Sequence, residues 1–132
     1  ISVEVAEKAP GDRGGAPARV DGDLQIVEGF RFPDEFDQDS IPVFNTNSMV
    51  LHADTLQQGP DLSWFAVDKK VDGEPVVQFE HLVGELTAHA PCACIAVQRE
   101  GADGRFVPVK DPQDLSVRKG VIRQLLTARG IL

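Results

Sequence analysis

Apolar and polar positions follow two periods along this chain, and the switches between them mark out the elements. Ser2 to Ala6 is a β-prone run, and Ala9 to Pro17 is a loop in which Gly and Pro break any regular pattern and can bring backbone close to a ligand. Ala18-Arg19-Val20 and Leu24-Gln25-Ile26-Val27 flank Asp21-Gly22, a pair that tolerates positive φ and so predicts a tight hairpin ending at Glu28. In Phe32 to Gln38, Pro33 at a first helical position with acids just behind it predicts a short helix. Ala53 to Gln58 reads as a helix stopped by Gly59-Pro60, and Trp64 to Val71 as a strand with Trp64 in the core. Beyond Asp72-Gly73-Glu74-Pro75, the residues Phe79, Leu82, Val83 and Leu86 fit the i, i+3, i+4, i+7 spacing of a core-facing helix. Cys92 to Gln98 reads as a buried strand, Gly101 to Gly104 as a turn and Arg105 to Val109 as extended. Pro112 and Asp114 open a last helix that carries Val121, Ile122, Leu125 and Leu126 and ends at Gly130.

Strands alternating with helices, with one early hairpin, predict an α/β fold whose mixed sheet has flanking helices. At 132 residues and 42% hydrophobic content, residues 1–132 are expected to form a single domain. The net charge of -8 argues against nucleic acid and acidic membrane as partners, because both demand a positive surface. Ten acids precede Ser40, whereas Arg118, Lys119, Arg123 and Arg129 crowd the last fifteen residues; a solvated helix face accounts for that basic end as well as a binding patch does. No run of 18 apolar residues exists and the first residues lack signal-peptide features, so a cytoplasmic location is expected. The start at Ile1 rather than Met reads as a piece of something longer. Cys92 and Cys94, two apart on a strand, share a face; a zinc site wants more ligands at wider spacing, so they read as packing residues. His52 and His89, without an acid or cysteine at ligand spacing, read as structural.

The candidate chemistry centres on Phe44-Asn45-Thr46-Asn47-Ser48. Two carboxamides at i and i+2 follow the apolar run Ile41, Val43, Phe44 and precede a helix, which puts them at a strand-to-helix turn. Each offers an acceptor oxygen and two donor hydrogens on one plane, a match for adjacent sugar hydroxyls, though an Asn also closes Asx turns and caps helices. In open α/β sheets ligands gather at the carboxyl ends of strands, where Asn45, Asn47 and the loop carrying Lys110 are expected to fall.

Taken in order, Glu4-Val5-Ala6-Glu7-Lys8, Gly14-Gly15, Gln25-Ile26-Val27-Glu28, Phe44-Asn45-Thr46-Asn47, Val77-Gln78-Phe79-Glu80 and Arg105-Phe106-Val107-Pro108-Val109-Lys110 resemble one family. They look like the rear half of the catalytic domain of the UTP-glucose-1-phosphate uridylyltransferase (UDP-glucose pyrophosphorylase) family. The likeness runs from Val3 to Leu115 and leaves residues 116–132 to be placed without its help. It implies a C-terminal portion of a Rossmann-like nucleotide-diphospho-sugar transferase domain, with UTP and glucose 1-phosphate as substrates, UDP-glucose and pyrophosphate as products, and Mg2+ as cofactor. By the same resemblance Glu28 and Asn47, with Asn45 beside them, hold glucose hydroxyls and Lys110 contacts phosphate. Lys8 matches a second family lysine, and Glu80 is a weaker substrate-binding candidate. A fixed ammonium suits the Lys110 role, since attack of one phosphate on another gathers negative charge.

The family's glycine-rich nucleotide loop is missing, and so are its uracil and magnesium residues and its β-helix domain, so the magnesium ligands are expected outside this chain. The missing strands imply a sheet edge open to the remainder of the catalytic domain or to self-association. Lys110 also reads as a plain surface lysine, Glu28 as a solvated strand end, and Glu80 with His81 as the polar start of a helix. Two alternatives stand beside the main reading. One is an N-acetylhexosamine 1-phosphate uridylyltransferase, which Asn-Thr-Asn rather than Asn-Ala-Gly at the turn disfavours. The other is a non-catalytic nucleotide-sugar binding module.

Overall fold

A computed structural model describes residues 1–9, 12 and 14–132. Among them the architecture is α/β, with one small mixed sheet, two antiparallel hairpins and few helices. The mixed sheet has the order β4-β1-β7. Its centre, β1 (Ser2–Glu7), pairs antiparallel with β4 (Val43–Val50) and parallel with β7 (Ala93–Ala96). Val3, Val5 and Ala6 on β1 are almost wholly buried, as a central strand requires. Positions 10, 11 and 13 of the Gly- and Pro-containing loop lie outside the described residues.

The first hairpin forms as the sequence implies. β2 (Ala16–Val20) pairs with β3 (Asp23–Val27) across Asp21 (φ 52°) and Gly22 (φ 95°), whose positive φ values match the right-handed twist of the strands. Ile26 on β3 is the largest fully buried side chain together with Val3. It packs under a 3-10 segment, Val83–Ala88, where a methyl on Gly84 would meet Ile26 Cγ2 at 3.1 Å. Thr87 fastens the two: the Ile26 N–H donates to its Oγ1 (2.8 Å), and its own hydroxyl donates to the Gly84 carbonyl (2.6 Å), all buried. Thr87→Val keeps the shape but leaves a buried N–H unpaired, so it is expected to cost about 1–3 kcal/mol. Urea unfolding checks this, with Thr87→Ser, which keeps the hydroxyl, expected to lose less; a Val variant as stable as wild type would remove the bond from the account.

Two predicted helices are absent. Glu74–Glu80 is a strand, β6, paired with β5 (Phe65–Val71) across Asp72 (φ 52°) and Gly73 (φ 88°), the same turn chemistry as Asp21-Gly22. The 3.6-residue spacing of Phe79, Leu82, Val83 and Leu86 is coincidental: Leu82 and Leu86 are buried, while Phe79 and Val83 are exposed. Nor does Phe32 to Gln38 form a helix. Phe36 N–H closes a single turn on Pro33, and short 3-10 turns lie at Gly29–Arg31 and Gln38–Ser40. Around Gln38–Ser40 side chains compete with a helical ladder, since Asp37 accepts from the Asp39 N–H and Ser40 Oγ donates to the Asp37 carbonyl.

Trp64, expected in the core, is 69% exposed and lies against His81, ring centroids 3.8 Å apart. Glu85 is the buried acid nearby: its carboxylate accepts from the Ser63 N–H and Ser63 Oγ, both 2.7 Å. Burial pushes this carboxyl up, and the two Ser63 bonds with the charges of Arg31 and His89 outweigh it, so the net direction is down. β7 is less enclosed than a buried strand should be, with Ile95 half-exposed at the sheet's edge. Cys92 and Cys94 do share a face as free thiols, and burial raises both above their ordinary range.

α1 (Ala53–Gln57) is capped by His52, as its structural reading implied, and Gly59 (φ 58°) follows it. α2 (Pro112–Ala128) has Pro at its start and Asp111 as N-cap, buries Leu125 against the body, and is followed by Gly130 (φ 67°). No helix among the described residues is long and apolar enough to cross a membrane.

Candidate functional site

The Asn45–Asn47 pair lies inside β4 and not at a strand-to-helix turn. Opposite the two-residue step from Val3 to Val5 on β1, β4 advances from Met49 to Asn45, so its extra residues bulge out of the ladder. Asn47 takes φ 62° there, a left-handed conformation that Asn tolerates better than most residues. The bulge is held from within. Asn45 Oδ1 accepts from the Asn47 N–H (2.9 Å), Asn45 Nδ2 donates to Asn47 Oδ1 (2.8 Å), and Thr46 Oγ1 donates to the Glu4 carbonyl (3.0 Å). Asn45 is buried and Asn47 exposed, so the inner amide fixes the outer one, whose Nδ2 points its N–H groups at no acceptor among the described residues.

Glu28 follows β3, and one glycine joins it to this bulge. A methyl on Gly15 would sit 2.8 Å from Glu28 Oε1 and 3.0 Å from Ile26 Cγ2, so the carboxylate rests where only glycine leaves room. The Gly15 carbonyl, in turn, accepts from the Asn45 N–H (2.7 Å). Burial is the main reason the Glu28 carboxyl is raised above its ordinary range; the Glu80 charge raises it further and Arg31 partly offsets both. No hydrogen-bond donor among the described residues reaches the Glu28 carboxylate. Glu80 itself is oriented by Gln78 Nε2 (2.9 Å) and by Lys69 (3.6 Å).

The two lysines are arranged differently. Lys8 Nζ donates to the Gln38 carbonyl (2.9 Å) and pairs with Asp39 (3.4 Å), in a groove of about 310 Å³ that also holds Asp12, Asp37 and Gly14. Gln38 Nε2 then donates to the Gly29 carbonyl (2.9 Å), which connects Lys8 to the residue after Glu28. Lys110 is exposed and its backbone is pinned: its N–H donates to Asp114 Oδ2 (3.0 Å), while Asp114's own N–H donates to the cap Asp111 (2.7 Å). Its segment reaches the mixed sheet through two upstream contacts. Arg105 grips Glu4 with Nε (2.9 Å) and Nη2 (2.6 Å), and Phe106 meets Phe44 edge to face at 4.8 Å.

Gly15 thus links Glu28 to the Asn45–Asn47 bulge, Glu80 acts on Glu28 through its charge, and Lys8 and Lys110 attach to this group through intermediaries. Residue-by-residue reading missed Gln38 and Arg31. Arg31 stands three residues after Glu28 with its guanidinium over Phe65, 5.1 Å from the ring centroid, a spacing at which a compensating cation could have been sought.

A sequence model of the UTP–glucose-1-phosphate uridylyltransferase family matches residues 1–127. This chain belongs to that family. The match passes Leu115 and takes in nearly all of α2, so the last helix is part of the family's pattern after all. A curated UTP–glucose-1-phosphate uridylyltransferase of Encephalitozoon cuniculi (strain GB-M1) is 27% identical over 125 residues, covering 86% of this chain and 25% of the relative. The chain thus spans about a quarter of that relative's length. Among the described residues no group of three or more His, Cys, Asp or Glu side chains is placed to hold a metal ion.

Proposed function

We propose that this chain is a C-terminal portion of a Rossmann-like nucleotidyltransferase catalytic domain that makes UDP-glucose and pyrophosphate from UTP and glucose 1-phosphate. Glu28, Asn45 and Asn47 hold the sugar, and Lys110 offsets charge on phosphate. The observation that carries the reading is the Glu28 carboxylate, seated on Gly15, with Gly15 in turn bonded to the Asn45–Asn47 bulge. An acceptor without a protein donor among the described residues, joined through Gly15 to a bulge that carries an amide with N–H groups to give, suits the alternating donor and acceptor faces of sugar hydroxyls. Burying such a carboxylate raises its energy in the empty protein, and a hydroxyl donor relieves that cost on binding.

The direct test is titration of the 132-residue chain with glucose 1-phosphate, followed by amide NMR. Shifts are expected at Gly15, Glu28, Asn45 and Asn47; a titration that leaves these four unmoved while shifting others would relocate the site. A second expectation concerns turnover. In-line transfer requires both phosphates to be held together, and positioning is the larger part of what such enzymes supply. This sequence holds no glycine-rich loop for the triphosphate, so the chain by itself is expected to release no pyrophosphate from UTP and glucose 1-phosphate. Magnesium-dependent release by the chain alone would overturn that view.

A further inference from the structure

Arg99 joins three segments that lie far apart in the chain. Its Nη1 donates to the Glu7 carbonyl at the end of β1 (2.8 Å) and to Asp12 Oδ2 (2.5 Å). Asp12 Oδ2 also accepts from the Ala9 N–H (2.8 Å), so the guanidinium and a backbone amide together fix this acid in the loop that leads to Gly14 and Gly15. The Arg99 guanidinium carbon lies 5.3 Å from the ring centroid of Phe44 and 5.5 Å from that of Phe106. Phe44 precedes Asn45, and Phe106 heads the run to Lys110.

From this geometry we infer that Arg99 is a positioning residue for the sugar-phosphate site, setting the Gly15 loop, the Asn45–Asn47 bulge and the Lys110 segment in register with one another. The inference rests on the sugar-binding reading above. The physical reason is the fork of the guanidinium: its edge bonds a carboxylate and a carbonyl while its face remains available to aromatic rings, which a lysine ammonium cannot do at once. Its side chain is only 20% exposed and Asp12 25%, so the pair is screened little by water. Asp12 responds accordingly, its carboxyl held below the ordinary range first by the Arg99 hydrogen bond. One guanidinium serves all three segments, so its loss should loosen them together and not one alone.

The test uses the 132-residue chain with Arg99→Met, which keeps much of the side-chain length and apolar bulk against the rings, and Arg99→Lys, which restores a charge without the fork. Glucose 1-phosphate is titrated into each and followed by amide NMR, with thermal unfolding in parallel. Arg99→Met is expected to weaken binding at least tenfold and to shift the free-state amides of Gly15, Asn45 and Lys110 together, while remaining folded; Arg99→Lys should recover only part. Asp12→Asn should reproduce the Gly15 shift with little change at Lys110. Wild-type affinity in Arg99→Met, or shifts confined to one segment, would overturn the inference while leaving the sugar site intact. Should Arg99→Met fail to fold, the Arg99→Lys and Asp12→Asn arms decide it by the same readouts. If the wild-type chain shows no shift at Glu28, Asn45 and Asn47, the sugar-binding reading itself fails, and the inference with it.

Discussion

On the proposed function, Lys110→Ala in the active enzyme is expected to lower kcat by about 10²–10³-fold, the range typical of losing one group aimed at developing charge. The melting temperature should barely move, because the lysine side chain is exposed and its backbone is held by other groups. Asp114 receives its N–H, Asp111 caps α2 behind it, and Arg105 and Phe106 tie the approach to Glu4 and Phe44. Those contacts survive the truncation, so the variant removes a charge from a fixed place and does not release a loop. Lys110→Arg tests position as well as charge: its wider, planar head should recover only part of the rate. Steady-state kinetics with both substrates, alongside a thermal melt, separates these effects, and near-normal turnover in the Ala variant would take Lys110 out of the chemistry.

Glu28→Gln should act in opposite directions on binding and on stability. A hydrogen bond to a charged group is worth about 1.5–3 kcal/mol, so loss of the charge is expected to raise KM for glucose 1-phosphate roughly ten- to a hundredfold. Stability should rise. The folded Glu28 carboxyl sits above its ordinary value of 4.5, chiefly through burial, so the folded chain holds this proton more tightly than the unfolded chain does. As pH climbs from that ordinary value through the higher folded one, the carboxylate's charging therefore subtracts stability, and at neutral pH the full penalty is present. Gln carries no such penalty. The variant is expected to melt higher than wild type at pH 7, with the advantage shrinking as the pH is lowered through the raised folded value and gone below the ordinary Glu value. A variant with unchanged KM and a lower melting temperature would show Glu28 to be a structural acid.

Local chemistry was legible wherever a turn or a cap dominates. Asp21-Gly22, the Pro112 start of α2 and Gly130 after it read correctly because each depends on its own backbone conformation. The same logic applied to Asp72-Gly73 would have shown β6; a stripe of four apolar residues outweighed it, although the stripe spans a strand, a corner and a 3-10 segment. Sequence could not reveal that half of that stripe faces solvent, since burial is decided by which elements meet. The site followed a similar division. Asn45, Asn47, Glu28 and Lys110 stood out through the motifs around them, but the bonds that organise them involve Gly15, Gln38, Asp12 and Arg99, which are far apart in the chain and chemically ordinary one by one.

The bulge in β4 makes the spacing of Asn45 to Met49 a structural constant of the site. Side chains on a strand alternate between two faces, so deleting one residue from this stretch would turn Asn45 and everything before it to the opposite face, or else do the same to Met49 and the residues beyond it. Either outcome would take Phe44 and Asn45, or Met49 and Val50, out of the surroundings they now occupy. Lineages of this protein should therefore tolerate length changes in the hairpin tips near Gly22 and Gly73, while the count of residues across the bulge stays unaltered.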